Sequence, residues 1–149
     1  MEQNTLPNEH LAYIAGFFDG EGCVRINKTL SSNKKLRSNP AYSLTCSVSN
    51  TNPFVLEYLC DCFGGSVHLL NRGNEKRRPI WEWRIYGNAA SSFLCQIVSF
   101  LKLKDKEAKI AITFQQYKSQ LPRGRGKFHL STIVDEVYQI LKSAKREVF

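Results

Sequence analysis

The sequence predicts an α+β domain in which helices cover one face of an antiparallel four-stranded sheet, with further helices at the C-terminus. Three observations support this fold class. The 149 residues are 42% hydrophobic and 23% charged, which is typical of one globular domain with its own core. Segments with helical spacing occur beside segments in which apolar and polar residues alternate. Along the chain they follow the order helix, two strands, helix, two strands, helix, written αββαββα.

The first helix is predicted to begin at about Asn8, which we expect to cap it, and to end near Gly22. Residues 11–18 are apolar or small, which suits a buried helix. Ala12, Gly16 and Gly20 recur at intervals of four and therefore share one face of the helix. Because these side chains are small, that face is suited to close packing against another helix.

Two carboxylates, Asp19 and Glu21, lie at the C-terminal end of this helix. Negative charge is disfavoured there because the helix dipole is already negative and the last carbonyls lack partners. A bound divalent cation would remove the conflict, since hard cations bind carboxylate and carbonyl oxygens. The alternative is a helix that ends in an ordinary solvated turn of glycine and acid.

Residues 23–29 and 42–49 show the alternation of strands with one apolar face. In the second strand, every other residue from Tyr42 to Val48 is apolar, and the residues between them carry hydroxyl groups. Residues 31–40 are polar and are predicted to form a loop that joins the two strands. Hydroxyl groups and an arginine, without large apolar groups, indicate a hydrogen-bonding surface; the alternative is an ordinary solvated sheet face.

A second helix is predicted from Asn52-Pro53 to about Phe63. The strands 66–70 and 80–86 follow it and are joined by a basic turn at 71–78, with Glu82 and Arg84 on the polar side of the second strand. The residues expected to face the core from these elements are Phe54, Leu56, Leu59, Cys60, Trp81, Trp83 and Ile85.

Three more helices are predicted. The first runs from Asn88 to about Leu101, the second follows the charged residues up to 107 and ends at about Gln120, and the third runs from Ser131 to Lys145. The charge run Leu101–Glu107 precedes the second of them and is equally compatible with a solvated helix start. The last helix is expected to pack on the outside of the domain.

The polar face of the sheet and the basic connections predict a DNA-binding surface. Lysine and arginine number 21 against 13 acids, a formal net charge of +8 that favours a polyanionic partner. A two-stranded ribbon fits the major groove, where arginine reads guanine and asparagine reads adenine. Candidates for base contacts are Arg25, Asn27, Thr29, Ser43, Thr45, Ser47, His68, Arg72, Glu82 and Arg84. Candidates for phosphate contacts are Lys34, Lys35, Arg37, Lys76, Arg77 and Arg78.

The five cysteines are scattered and lack the spacing of a zinc site, so we interpret them as reduced residues of an intracellular protein. No apolar segment approaches the ~20 residues of a membrane span, and no secretory signal precedes the first helix, so we expect no membrane partner.

The stretch Ile14-Ala15-Gly16-Phe17-Phe18-Asp19-Gly20-Glu21-Gly22 resembles the LAGLIDADG motif of homing endonucleases, in the variant with glycine before the last acid. The predicted element order is also similar to the αββαββα domain of that family, whose four-stranded sheet is saddle-shaped. The resemblance covers about residues 8–120 of a single domain spanning 1–149. It leaves about 121–149 as a C-terminal helical extension.

The resemblance implies a nuclease active site. Its catalytic residues would be Glu21, Asn50 and Lys104, and its divalent cation, Mg²⁺ or in vitro Mn²⁺ or Ca²⁺, would be bound by Glu21, the backbone of Gly20, and Asp19. Asn50 would orient solvent, and Lys104 would polarise water or offset phosphate charge. Pro53-Phe54 departs from the pattern, because some relatives carry an additional basic residue there.

A single copy of the motif implies a homodimer, with an interface formed by Ala12, Ala15, Gly16 and Asp19. The two Glu21 carboxylates would then lie close together beneath the DNA minor groove. The implied product is a double-strand break with short 3′ overhangs in a long pseudo-palindromic site, for a protein encoded by an intron. The expected location is an organelle, chloroplast or mitochondrion, or a prokaryotic cytoplasm.

Other functions remain open at this point. An RNA maturase or a non-cleaving DNA-binding regulator would have the same fold, and intron RNA would be the partner of the former. The acid at Glu21 together with Lys104 favours a nuclease. A basic scaffold or RNA-binding protein of unrelated α+β fold would explain the charge, but not the acid pair beside a bare helix face.

Overall fold

The computed structural model describes residues 6–29, 41–120 and 128–146, apart from the side chains of residues 128–133 and 146. The predicted loop at 31–40 therefore lies outside the described residues. The elements are α1 (Asn8–Glu21), β1 (Gly22–Thr29), β2 (Ala41–Asn50), α2 (Pro53–Phe63), β3 (Ser66–Asn71), β4 (Ile80–Tyr86), α3 (Gly87–Ile97), a 3₁₀ turn (Val98–Phe100), α4 (Asp105–Ser119) and α5 (Phe128–Arg146). The predicted fold class and element order are confirmed.

The four strands form one antiparallel sheet in the order β1-β2-β4-β3. The two central strands, β2 and β4, contribute the most deeply buried side chains. Leu44, Cys46 and Trp83 are fully buried, and Val48 and Ile85 are nearly so. All five come from the apolar positions of the alternating patterns, so those patterns identified the face that the helices cover.

One aromatic side chain joins three helices to the sheet. Phe93 of α3 is buried, and three aromatic rings contact it edge-on, with ring centroids 5.3, 4.8 and 5.1 Å away: Phe18, Phe63 and Trp83. Edge-to-face aromatic pairs of this kind stabilise a core beyond the area they bury. The indole Nε1 of Trp83 donates to the Gly64 carbonyl oxygen at 2.9 Å, so its polar group is satisfied as well.

The turn between α2 and β3 requires glycine. Gly65 has φ of +85°, a left-handed conformation that favours glycine, and a Cβ there would lie 2.3 Å from the carbonyl oxygen of Arg84. The close approach of this turn to β4 sets where β3 begins and which of its residues lie opposite β4.

Two local predictions were wrong. Asn8 does not cap α1, because the helix begins at Asn8 itself and the carbonyl of Pro7 accepts the first N–H groups, from His10 and Leu11. Phe54 does not pack against the core but is 76% exposed, since it lies in the first turn of α2 on the side away from the sheet. The helix does begin at Pro53, and Asn52 caps it, with its Oδ1 accepting a hydrogen bond from the Phe54 N–H at 3.0 Å.

The C-terminal helix lies beside the edge strand β1. Asp135 Oδ1 is 3.0 Å from Lys28 Nζ and accepts a hydrogen bond from the Tyr42 hydroxyl at 2.6 Å. Leu141 and Ala144 are buried, which fixes the second half of α5 against the rest of the chain. None of the helices in the described ranges has the length and apolar character that crossing a membrane requires.

Candidate functional site

The two carboxylates at the end of α1 have opposite environments. Asp19 is only 8% exposed. Its Oδ2 accepts a hydrogen bond from the backbone N–H of Lys102 at 2.7 Å. Its Oδ1 accepts two more, from Leu103 and Lys104 at 3.1 and 3.0 Å. Three N–H donors thus stabilise the negative charge of Asp19 at an unfavourable helix end.

These contacts correct the prediction that Asp19 is a metal ligand. Both carboxylate oxygens accept hydrogen bonds from the segment that leads into α4, and the residue is buried, so Asp19 is not presented to a cation as Glu21 is. The conflict with the helix dipole is resolved by backbone donors from another part of the chain. Asp19 instead positions the segment that carries Lys104.

Lys104 lies against the end of α1. Its Nζ donates to the backbone carbonyl of Asp19 at 2.6 Å, which is one of the carbonyls that lack a partner within the helix. Its backbone carbonyl accepts the Ala108 N–H at 2.9 Å and so begins α4. Backbone and side chain of Lys104 are therefore both held, and its cationic group lies at the carbonyl of Asp19, two residues before Glu21.

Glu21 is exposed and forms no hydrogen bond or ion pair with any other described residue. It is the last residue of α1, and Gly22 after it begins β1 opposite Val48 of β2. Space is open on the Gly20 side of this residue, since a Cβ added at Gly20 would contact nothing within 4 Å, whereas Gly22 packs closely against the Phe18 ring. The carboxylate is thus available to a ligand.

Asn50 lies at the end of β2, two residues beyond the one that pairs with Gly22. Its Oδ1 accepts a hydrogen bond from the Asn52 N–H at 2.8 Å, which leads the chain into α2. This contact leaves the Nδ2 group as the donor that could orient solvent. The structure therefore brings Glu21, Asn50 and Lys104 to the same end of the α1–sheet unit.

The donor set of one copy fits a divalent cation only in part. Within the described residues, no group of three or more His, Cys, Asp or Glu side chains could hold a metal. The exposed carboxylate of Glu21 and the unpaired helix-end carbonyl of Gly20 are oxygen ligands suited to Mg²⁺. Mg²⁺ commonly uses one or two carboxylates with phosphates and waters, so these residues fit a site completed by other molecules.

The outer side of α1 is open. Ala12 and Gly16 are exposed, and a Cβ added at Gly16 would contact nothing within 4 Å. Ala15 is fully buried in the core of the same chain. We therefore correct the predicted interface: Ala15 and Asp19 belong to the inner side of the helix, and Ala12 and Gly16 are the residues that a second helix could reach.

The predicted DNA-binding residues lie on the strands and turns expected, except for those in 31–40. On β1 and β2, Arg25, Thr29, Asn27 and Ser43 are exposed or half-buried. The β3–β4 connection is a tight turn in which Asn74 pairs with Arg77, and it exposes Arg72, Lys76, Arg77 and Arg78. Lys34, Lys35 and Arg37 lie outside the described residues.

Two hydroxyl residues on the polar face support their neighbours. Thr45 is 2% exposed and Ser47 is 6% exposed, because β2 is central and strands flank it on both sides. The Asn27 Nδ2 group donates to Thr45 Oγ1 at 2.7 Å, which orients the Asn27 amide. The prediction of direct DNA contact is therefore corrected for Thr45 and Ser47.

Glu82 and Arg84 form an ion pair within the sheet surface. Glu82 is 6% exposed; its Oε1 contacts Arg84 Nε, and its Oε2 lies 3.5 Å from Ser49 Oγ. Glu82 thus orients the guanidinium, whose terminal nitrogens remain available, and the prediction of its direct base contact is corrected. His68 lies opposite Glu82 in β3 and is exposed, with Nε2 2.8 Å from Ser66 Oγ.

Sequence reasoning missed two features of this surface. Tyr86 lies on the polar face opposite Thr45 and is 50% exposed, and the alternation along β4 could have identified it. The contact of Asp135 with Lys28 and Tyr42 was not predicted, because 107 positions separate Lys28 from Asp135 and no local pattern marks the pair.

This contact changes the pKa values of the three groups. Hydrogen bonds from Tyr42 and Lys28 lower the pKa of Asp135, and the hydrogen bond to Asp135 raises the pKa of Lys28. Burial, together with its hydrogen bond to Asp135, raises the pKa of Tyr42. The shifts of Asp135 and Lys28, whose largest causes are these hydrogen bonds, favour the state in which α5 is attached to the sheet edge.

The sequence of the chain matches a known family. The family model described as LAGLIDADG endonuclease matches residues 14–121, which include the second half of α1, the whole sheet and α4. No curated protein matches the chain.

Solved structures match the fold over most of the chain. The homing endonuclease I-CvuI, in complex with its target in the presence of 2 mM Ca, has 19% identity and a TM-score of 0.62, with 90% of this chain and 95% of that chain covered. The archaeal intron-encoded homing endonuclease I-Vdi141I, complexed with DNA, has 13% identity and a TM-score of 0.59, covering 93% and 98%. The meganuclease I-SmaMI, bound to uncleavable DNA, has 16% identity and a TM-score of 0.61, covering 89% of this chain and 43% of that one. These likenesses establish the fold.

Proposed function

This chain belongs to the LAGLIDADG endonuclease family, and from that premise we propose that it is a site-specific, divalent-metal-dependent DNA endonuclease. The observation that carries the proposal is the exposed carboxylate of Glu21, which has no partner among the described residues. The ammonium group of Lys104 is fixed at the same end of α1 by its bond to the Asp19 carbonyl. An unpaired acid and a fixed cation at one helix end are suited to phosphodiester hydrolysis.

In this proposal each residue has one task. Glu21 and the Gly20 carbonyl hold the divalent cation. That cation is Mg²⁺ in the cell, and Mn²⁺ or Ca²⁺ can take its place in vitro. When bound, that ion supplies an activated water and stabilises the leaving oxygen. Lys104 offsets negative charge that develops on the phosphate, and the Nδ2 group of Asn50 orients solvent near it.

The enzyme acts as a homodimer in this proposal. One copy offers a single exposed carboxylate at this site, and a duplex cut on both strands needs an equivalent site for each. The open surface at Ala12 and Gly16 lets a second α1 approach closely about a two-fold axis. Such packing would bring the two Glu21 carboxylates together below the DNA. The match covers nearly all of the I-CvuI chain but under half of the I-SmaMI chain. This is the coverage expected if the present chain supplies one domain of a two-domain assembly.

The polar face of the sheet binds the major groove of each half-site in this proposal. Arg25, Asn27 and Arg84 carry side chains suited to base edges, and two of them are oriented by neighbours in the sheet. The exposed basic turn between β3 and β4 contacts phosphates. The product is a double-strand break with short 3′ overhangs in a long pseudo-palindromic site. The protein itself is encoded by an intron and acts in an organelle or a prokaryotic cell.

A metal-dependent cleavage assay tests the proposal. Purified wild-type protein and Glu21→Gln are incubated with a pooled library of intron-free organellar and bacterial rRNA genes, with Mg²⁺ or with EDTA. We expect discrete cuts that require both Mg²⁺ and Glu21. Specific binding without cutting would contradict the nuclease and indicate a DNA-binding regulator, and selective binding of intron RNA in its place would indicate a maturase.

A further inference from the structure

An open groove of about 650 Å³ runs between the edge strand β1 and the helix α5. Its strand side continues the polar face of the sheet, and its helix side carries two lysines three residues apart. The polar lining residues that matter here are Arg25, Asn27, Thr29 and Ser43 from the sheet, and Lys142 and Lys145 from α5. The groove therefore joins the predicted DNA-binding face without a break.

The groove carries an excess of positive charge. Arg25 and Lys142 are exposed, and Lys145 is half-buried. The Nζ atom of Lys145 lies 3.8 Å from Cys23 Sγ, which places this ammonium at the polar side of β1. The charge of Lys28 is balanced by Asp135, which lies outside the groove, and no carboxylate is found among the described residues that line it.

The helix that carries these lysines is held firmly to the sheet edge. Asp135 binds Lys28 and the Tyr42 hydroxyl, and the rings of Tyr42 and Tyr138 pack with centroids 5.8 Å apart. The buried side chain of Leu141 lies between these contacts and Lys142. The cationic side chains are thus presented from a fixed backbone, which lowers the entropy lost when they bind.

We propose that this groove binds the phosphate backbone of double-stranded DNA, so that α5 extends the DNA interface beyond the edge of the sheet. This inference rests on the proposed DNA binding and adds Lys142 and Lys145 to it. Lysine contacts phosphate as a flexible point charge and carries no base specificity. The helix would therefore fix the position of the duplex on β1, while Arg25 and Asn27 face the bases.

Salt dependence of DNA binding tests this proposal in the full-length chain. Each phosphate contact contributes about 0.9 to the slope of log K against log salt concentration for duplex DNA. We expect Lys142→Gln to reduce that slope by about 0.9 per copy of the chain bound, and the double variant with Lys145→Gln by about 1.8. The same loss should occur on duplexes of unrelated sequence.

Lys109→Gln is the matched control, because it removes the same charge from an exposed position of α4 on the helical layer. It should leave the slope at the wild-type value. If the wild type binds DNA and the double variant has the same slope as Lys109→Gln, the proposed role of the groove is overturned and the proposed function is left intact. A reduced slope in a protein that never cuts DNA would support the groove and contradict the nuclease. A wild type that binds no duplex at low salt would overturn both.

Discussion

The inner and outer sides of the last two turns of α1 show how one short segment serves two purposes. The inner side, with Ala15, Phe18 and Asp19, is buried and contacts the core and the segment before α4. The outer side, with Gly16 and Glu21, is exposed and has no partner among the described residues. Both sides contain a small residue and an acid. They differ in their surroundings, because the inner side faces the core and the segment before α4, whereas the outer side faces solvent.

The comparison shows that a carboxylate at a helix end gains its role from its surroundings. Asp19 receives three backbone N–H groups and becomes a structural anchor. Glu21, two residues later, receives none and stays available for a ligand. A carboxylate at the negative end of the helix dipole therefore has a structural role in Asp19 and, in our proposal, a catalytic role in Glu21.

The largest effect is expected on the outer side. Gly16→Leu adds a side chain into open space, so the isolated fold should remain intact, with helix propensity gained rather than lost. In the proposed dimer the same side chain would separate the two α1 helices. Sedimentation should give a monomer, and double-strand cleavage should be lost.

Ala15→Leu and Ala89→Leu are the controls for this change. Ala15 is fully buried, so the added bulk should destabilise the fold by about 1–3 kcal/mol. Ala89 is an exposed residue of α3, where the same bulk should change neither stability nor association. A Gly16→Leu protein that sediments as a dimer would contradict the two-fold arrangement.

The next largest effect is expected at Asp19. Asp19→Ala leaves three backbone N–H groups without their charged acceptor and should lower the free energy of unfolding by roughly 3 kcal/mol. Asp19→Asn, which keeps one acceptor oxygen, should lose less. Urea unfolding measures both. Unchanged stability in Asp19→Ala would show that the inner side is not an anchor.

A smaller effect is expected at Lys104, which joins the two sides. Lys104→Gln should lower the cleavage rate by about 10²-fold, since the cationic group that offsets phosphate charge is lost. Stability should change little, because the Asp19 carboxylate still binds the backbone of this segment. Single-turnover kinetics at saturating enzyme separate the rate from binding. A variant that cleaves normally would remove Lys104 from the proposed site.

The sequence predicted the inner side and the sheet better than the contacts at the helix end. Alternation identified Trp83 and Ile85 as core residues because each depends only on which face of its strand it occupies. The contacts of Asp19 could not be predicted in this way, since its donors lie 83–85 positions later in the chain. Only the packing of α1 against the end of the 3₁₀ turn brings them together.

The polar face shows the same difference. Alternation placed Glu82 on the correct side of β4. Its burial, however, depends on Arg84 and on Ser49 of a neighbouring strand, and so on the strand order. Helical spacing likewise suggested that Phe54 is a core residue, but position in the first turn of α2 leaves it exposed. Local sequence patterns therefore specify the face of a strand or helix on which a side chain lies. The residues that contact that side chain are specified only by the order of the strands in the assembled sheet.

The smallest effect is expected far from α1, at the attachment of α5. The lowered pKa of Asp135 means that its contribution to stability is present above its ordinary value near 3.8 and is lost as pH falls through the lowered value. The raised pKa of Lys28 gives a contribution that is complete below 10.5 and is lost as pH rises further. The protection factors of α5 amides, which correct the exchange rates for the intrinsic rate at each pH, should therefore be highest between these limits. Asp135→Asn should remove the acid limb of that profile, and an unchanged profile would contradict the role of this contact.

The most direct test of the account compares Glu21→Gln with Asp19→Asn in two measurements, Mg²⁺-dependent cleavage of the identified target and unfolding in urea. We predict that Glu21→Gln loses cleavage by roughly 10³-fold or more, since metal-held charge stabilisation is worth several kcal/mol, and keeps wild-type stability. Asp19→Asn should lose stability and retain metal-dependent cleavage at temperatures where it is folded. The reverse result, an unstable Glu21→Gln and a stable but inactive Asp19→Asn, would contradict the assignment of the two carboxylates.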